Sequence, residues 1–475
     1  VEFIIEAKEA QLFRRQKKTS GTDKIYPMER DFTTGNVFRN IIYYSIPYLL
    51  SYFLQTLYGM ADLFIIGRFE GVAATTAVSI GGQVMHMVTV MLVGLAMGTT
   101  VSIAQAVGAK RREEASHCIG NTVTLFMALS VVLAGVLVMC VRPIVGLVST
   151  PAEAVEGTVT YLTICFAGIP FITAYNIISS IFRGLGDSKS PMYFIAVACA
   201  ANIVLDYLFM GAMHLGPAGA ALGTTLSQAV SVAISLWVIL HRKDSGVSVR
   251  KTDFRPNKPV ISRIFSIGLP VALQDGLIQV SFIIITIIAN RRGLTDAAAV
   301  GIVEKIISFL FLIPSSMLST VSALGAQNIG AGKKERAVQT LRYAIGISVG
   351  LAFVIAIVIQ FAAEPVVGLF TTDGAARIAG GQYIRGYVWD CVLAGIQFSF
   401  SGYFCACGKS ILSFVHNICS IIFVRVPGAY LTSMMFLATL FPMGLATACG
   451  SLLSSILCVI FFAVLERRER RGRTA

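Results

Sequence analysis

Charge interrupts this chain so rarely that about twelve apolar segments can be drawn through it. They are 41–67, 75–106, 117–141, 157–182, 192–213, 217–240, 261–289, 297–325, 338–362, 380–406, 411–437 and 442–465. A helix rises about 1.5 Å per residue, so roughly 20 apolar residues cross a hydrocarbon layer of about 30 Å. The segments are therefore spanning helices, and several exceed the required length, which predicts tilt or extension beyond the bilayer. Composition agrees. The 475 residues are 55% hydrophobic and 13% charged, against about 25% charge in a soluble domain. The longest polar stretches are the first 38 residues, 241–263 and 466–473; none can build a core. The N-terminal stretch lacks a secretory apolar region, so insertion is expected to use the first spanning helix.

Lys and Arg set the orientation. With an even number of spans, both ends of the chain lie on one side. The terminal segments and the loops on that side carry thirty of the 38 basic residues; the opposite loops carry five, and three lie within spans. Both termini are expected in the cytoplasm, where anionic lipid meets the excess charge. The net charge of +13 thus needs no nucleic-acid partner. Ten cysteines show no metal spacing and read as reduced packing residues, including Cys405 and Cys407.

The two halves repeat. QAVGAKRREEA (105–115) and QNIGAGKKERA (327–337) share Gln, Gly, Ala, a basic pair, Glu and Ala at an offset of 222. The same offset aligns AVSI (77–80) with AVGI (299–302) and FRGLGDS (182–188) with FCACGKS (404–410). Pro47 in SIPYLL corresponds to Pro270 in GLPVAL, one residue further along. Six helices per half is an even number, so both halves run the same way, as in parallel-repeat secondary transporters. The expected fold is an all-α polytopic membrane protein with twelve transmembrane helices in two six-helix lobes related by a parallel internal repeat. The divisions are a cytoplasmic segment (1–38), an N-lobe (39–240), a cytoplasmic linker (241–260), a C-lobe (261–465) and a basic tail (466–475).

One acid stands alone in the first span: from Asn40 to Gly67 the only carboxylate is Asp62. Ionisable groups within a membrane are costly, and by default they are functional candidates. By helical rise, Asp62 lies in the outer half of helix 1. Asp206 of helix 5 lies in the outer half too, with Asn202 four residues earlier on the same face. Thr224 of helix 6 is at compatible depth, and Gln55 shares a face with Asp62. Two close carboxylates can share one proton, and their oxygens also suit Na⁺. Proton entry would release a cationic cargo, and Pro47 permits helix 1 to bend. The alternative is that both acids are structural, bonded to their neighbours.

The second half lacks this pair: the repeat partners of Asp62 and Asp206 fall near Ile285 and Pro427. It carries Asp275, Glu304, Lys305, Arg385, Asp390 and Arg425, whose charges sum to zero and read as an internally neutralised ion-pair network. RGLGDSK (183–189) reads as a cytoplasmic turn with positive-inside anchors, and GAALGTT (219–225) as a close helix contact. GAKRREE and GAGKKER lack the Walker spacing, so an ATPase is not indicated.

MERDFTTGNVFRNIIYYSIP, LYGMADLFIIG, RGLGDSKSPM, NIVLDYLFMG, GPAGAALGTTLSQ, QAVGAKRREEA and RVPGAYL resemble the multidrug and toxic compound extrusion (MATE) family, over roughly residues 28–465. The resemblance implies two six-helix lobes around a V-shaped cavity that opens alternately. It implies cation-coupled export of organic, often cationic, compounds, with H⁺ or Na⁺ as coupling ion and no cofactor. It places Asp62, Asn202, Asp206 and Thr224 on the family's N-lobe cation and proton site, with Gln55 lining the cavity. At the family's helix-7 carboxylate position stands Ile278, with Asp275 one turn earlier, so a second sodium site is not carried over. Asp390, Asp275 and Glu304 remain secondary candidates. The expected setting is a bacterial inner membrane, with a small organic substrate, a lipid surround and a monomeric state. Rival readings are a flippase for lipid-linked saccharides, a membrane-embedded enzyme and a passive channel. The first favours extra helices and a basic cavity. The second needs a catalytic motif such as HExxH, which does not occur, or GxSxG, which is matched only by GISVG (346–350) inside an apolar segment.

Overall fold

The computed structural model describes residues 31–148, 150–241 and 249–474. Most of the expected N-terminal segment (1–38) and residues 242–248 of the expected linker lie outside the described residues. Twelve long helices follow one another: α1 (Val37–Phe69), α2 (Val72–Gly108), α3 (Arg112–Met139), α4 (Val155–Ala167 followed by Ile169–Gly184), α5 (Lys189–Ala212) and α6 (Gly216–His241), then α7 (Lys258–Asn290), α8 (Leu294–Gly330), α9 (Lys334–Gly368), α10 (Gly374–Ala406), α11 (Ile411–Met435) and α12 (Phe441–Thr474). Ten of these are long and apolar enough to cross a membrane, and α4 makes eleven if its two parts, bent by 49°, form one span. The twelfth is α10, which has 33 residues but is rich in Gly, Tyr and Ser. It packs against α8, α9 and α12 and so has little need of a uniformly apolar surface.

The helix ends repeat as the interiors do. Asn36 caps α1 by accepting from Arg39 N, and Asn257 caps α7 by accepting from Val260 N. Pro47 and Pro270 lie inside these two helices. The stretches of chain leading into them are pinned by the opposite half. Lys333 Nζ donates to Thr33 O (2.9 Å) and Arg336 Nη2 to Thr34 O (3.0 Å). Asn121 Nδ2 donates to Asp253 O (3.1 Å) and Asn257 N to Asn121 Oδ1 (2.6 Å).

Each half has its own apolar core. One is drawn wholly from α1–α6 and nearby residues, including Ile65, Leu162, Phe166 and Met210. The other comes from α7–α12, including Ile285, Val303 and Tyr387. Between them, Met97 and Val101 of α2 meet Ile267 and Val271 of α7. The outer surface stays apolar: Val131, Leu240, Phe361 and Leu437 are exposed, as a lipid-facing surface requires.

Two-fold-related contacts join the halves at the face where α1 begins and α12 ends. Gln105 Nε2 donates to Ala406 O (2.7 Å), and Gln327 Nε2 donates to Gly184 O (3.5 Å). Adding 222 to 105 and 184 gives 327 and 406, so the repeat read from residue types is also a repeat of contacts. Backbone meets backbone here. A Cβ on Gly108 would strike Gln327 O, and one on Gly330 would strike Gln105 O. Only glycine lets the two helix ends approach this closely.

Candidate functional site

In the first half, α1, α5 and α6 bring their polar residues to one place. Asp62, Asp206 and Asn202 are 5%, 0% and 1% exposed. Thr224 Oγ1 donates to Asp62 Oδ2 at 3.2 Å, and the Asp62 side chain also faces those of Asp206 and Asn202. Asp62 Oδ1, both Asp206 carboxylate oxygens, and Oδ1 and Nδ2 of Asn202 are buried without a hydrogen-bond partner in the protein. Buried polar atoms nearly always have partners, so a cluster of orphans in one spot needs a physical reason. All but one are oxygens. The set suits a proton or a small hard cation, which takes oxygen ligands. Among the described residues no group of three His, Cys, Asp or Glu side chains could hold a metal ion; the donors here are two carboxylates, an amide and a hydroxyl.

Local structure makes room for this arrangement. The regular α-helix of α5 ends at Asp206, and residues Tyr207–Ala212 widen into a π turn, a distortion common at functional sites. Across from it, a Cβ on Gly223 of α6 would strike Asp206 Oδ1. Gly223→Ala is therefore expected to displace the Asp206 carboxyl. Overpacking of this kind costs about 1–3 kcal/mol, and transport should fall further than the melting temperature alone would explain. Paired efflux and thermal-unfolding measurements on the variant check this.

Tyr58 and Tyr161 lie in electrostatic range of Asp62. Gly81 of α2 leaves the space that the Tyr161 ring fills. Neither tyrosine is distinguishable by spacing from a packing residue, although a Gly facing an aromatic across two helices is the trace such a contact leaves. Gln55 is half-buried on α1, and among the described residues no hydrogen bond ties it to the acids.

The charges of the second half do not form one network. Arg425, in a π turn of α11 (Ile421–Arg425), donates from Nη2 to Tyr387 Oη (2.6 Å) and lies 3.7 Å from Asp390 Oδ2. Ser451 Oγ donates to Asp390 Oδ1. Glu304 accepts from Thr286 Oγ1 at 3.0 and 3.2 Å and is in electrostatic range of Arg425. The others stand apart. Arg385 pairs with Glu364 (3.4 Å), Lys305 is exposed, and the Asp275 carboxyl lies against Gly94 of α2. The expected single network is thus corrected to a triad of Asp390, Arg425 and Glu304. Arg183, expected in a cytoplasmic turn as a charge anchor, is instead buried at the end of α4 beneath the Tyr48 ring.

Known proteins share this architecture. The MatE family model matches residues 47–208 and again 270–431, two copies 223 residues apart that together cover more than half of the chain. The chain is 28% identical over 405 residues to the probable multidrug resistance protein YoeA of Bacillus subtilis (strain 168), covering 84% of this chain and 87% of that one. It is 27% identical over 383 residues to the multidrug export protein MepA of Staphylococcus aureus (strain N315), covering 80% and 83%. A solved structure described as an outward-facing multidrug resistance MATE transporter superposes with a TM-score of 0.85 at 23% identity, over 93% of this chain and 98% of that one. Crystal structures of MATE itself, one bound to MaL6, reach 0.86 at 22% identity over 96% of this chain and 100% of that one. Repeat, fold and sequence relatives converge: the chain belongs to the MATE family, and it is a multi-pass membrane transporter, not an enzyme.

Proposed function

We propose that this protein exports organic, cationic or amphipathic compounds by alternating access, coupled to entry of H⁺ or Na⁺ at Asp62, Asp206, Asn202 and Thr224. One observation carries the reading: two carboxylates from separate helices are buried together, and three of their four oxygens lack a protein partner. Such a pair is stable only when a proton or cation offsets its charge. Occupancy and charge in the first lobe are thereby linked, and a cationic cargo competes for the same charge. Gln55 lines the path to the site. The names of YoeA and MepA support multidrug cargo.

The working divisions are an N-lobe at 39–240 and a C-lobe at 261–465, joined by the linker 241–260. Segments 1–38 and 466–475 lie on the cytoplasmic side of a bacterial inner membrane. With that orientation, the glutamine contacts of α2 and α8 close the cytoplasmic side, so the state described here faces outward. The transporter works as a monomer in its lipid surround, with no cofactor beyond the coupling ion. Asp390, Asp275 and Glu304 are secondary sites at most. The flippase alternative finds no support in an acidic first-lobe chamber.

Proteoliposomes test the proposal. A fluorescent organic cation loaded inside should leave faster when an inward H⁺ or Na⁺ gradient is imposed, and the faster of the two identifies the coupling ion. Equal movement with and without either gradient would refute ion-coupled export.

A further inference from the structure

Arg183 is a second deeply buried arginine, and its surroundings differ in kind from those of Arg425. Arg425 has Asp390 and Glu304. Among the described residues, Arg183 has no carboxylate in an ion pair, and the groups that face its charge are the tyrosines 48, 175, 52 and 44. Its guanidinium stacks over the Tyr48 ring, 4.1 Å from the centroid. Stacking uses the face of the guanidinium and leaves the in-plane N–H donors free. Nε has no hydrogen-bond partner in the protein, and the side chain is 8% exposed with its neighbours closed around it.

The groups nearby are hydroxyls, each able to turn its hydrogen toward an anion. Tyr175 Oη and Ser319 Oγ are buried without partners, and Tyr52 stands close to Tyr48 and Ser319. The nearest acid in the chain, Asp187, accepts from Lys189 N (3.0 Å), Ser190 N (3.0 Å) and Ser190 Oγ (2.6 Å) in its own turn. A full positive charge is therefore buried with no carboxylate paired to it and beside hydroxyls that lack partners, an arrangement that is costly without a counter-charge. We propose that Arg183, with the hydroxyls of Tyr175 and Ser319, forms a binding site for a small inorganic monoanion of halide size. With Tyr48 and Tyr175 at 2% and 1% exposure, the surroundings suit a small ion better than an organic carboxylate.

The site sits on the seam between the halves. Tyr44 Oη donates to Arg183 O (2.9 Å), and Gln327 of α8 reaches the adjacent Gly184 O. Ser319 also belongs to α8, so an anion held there bridges α4 and α8 beside Tyr48 of α1. It binds the closed seam and not the separated halves, and by linkage it favours the closed state. This inference does not depend on which cargo or coupling ion the transporter uses.

The test uses the full chain in nanodiscs, melted in sodium chloride, sodium bromide or sodium gluconate at equal ionic strength. Chloride and bromide should raise the melting temperature saturably by at least ~2 °C, and bromide-soaked crystals should show an anomalous peak beside Arg183. Arg183→Gln should abolish the halide shift. Tyr175→Phe keeps the charge and should raise the half-saturating chloride concentration about fivefold, the loss of one hydrogen bond. It carries the test should Arg183→Gln fail to fold. Identical melting in chloride and gluconate would overturn the proposal. So would a halide shift that survives Arg183→Gln, an unchanged half-saturation in Tyr175→Phe, or bromide bound only elsewhere.

Discussion

Asp62→Asn is expected to reduce gradient-driven efflux to the level of protein-free liposomes while the protein melts at or above the wild-type temperature. Two separate consequences of the geometry are combined here. The amide cannot take up or release the coupling ion, so the exchange has no charge to work with. Folding, by contrast, gains, because a neutral amide replaces a buried carboxylate whose Oδ1 has no partner. The new Nδ2 donor also faces Asp206, both of whose oxygens are unpaired. Asp206→Asn should behave alike. A carboxylate kept for structure would give the opposite pattern, with transport retained in proportion to folded protein and a lowered melting temperature. Efflux from proteoliposomes, measured beside thermal unfolding of the same preparations, separates the two readings. Undiminished efflux by Asp62→Asn would remove the proposed site.

Much of the fold is written in residue types. Spans of about twenty apolar residues and the 222-residue offset are both one-dimensional signals, and the helices follow them. The observed helices run longer than the apolar segments, as α9 does at Lys334–Gly368 against 338–362, because a helix continues past the lipid until its backbone meets a cap or a turn. Asp62 and Asp206 stand out in the sequence because a carboxylate in an apolar run is costly, and the structure buries both in one place. What residue types do not carry is direction. Arg183 adds to a count of basic residues whichever way its side chain points, yet it turns inward beneath Tyr48. Charges that sum to zero do not say who pairs with whom: Arg385 found Glu364, a residue outside the expected set. The π turn at Tyr207–Ala212 carries no local composition mark, whereas the bend in α4 falls at Gly168 and Pro170 and the π turn at Ile421–Arg425 runs into Pro427, helix breakers that the apolar-segment reading passed over.

The second large effect is expected at Arg425, and its signature is asymmetry. Arg425 and Asp390 are 7% and 0% exposed at the side chain, so removing either strands a charge or a donor away from water. Arg425→Met leaves Asp390 with Ser451 and no cation, and leaves Glu304 with Thr286 alone. Breaking a buried pair from one side costs about 3–5 kcal/mol, and this substitution strands two acids. Asp390→Asn should cost clearly less, because Arg425 keeps Tyr387 at 2.6 Å and the nearby charge of Glu304. The double variant, with neither charge of the 3.7 Å pair, should then be more stable than Arg425→Met alone, since most of the single-variant loss is the uncompensated Asp390. Equilibrium unfolding of the three variants in one lipid system measures the cycle. The ordering also bears on coupling. A resident guanidinium already stands beside the second-lobe acids, the positive charge that, in the proposed function, the first lobe obtains from solution. Equal costs for the two single substitutions, or a double variant no better than Arg425→Met, would mean that Arg425 is held by its stacking on Phe282 and not by the acids.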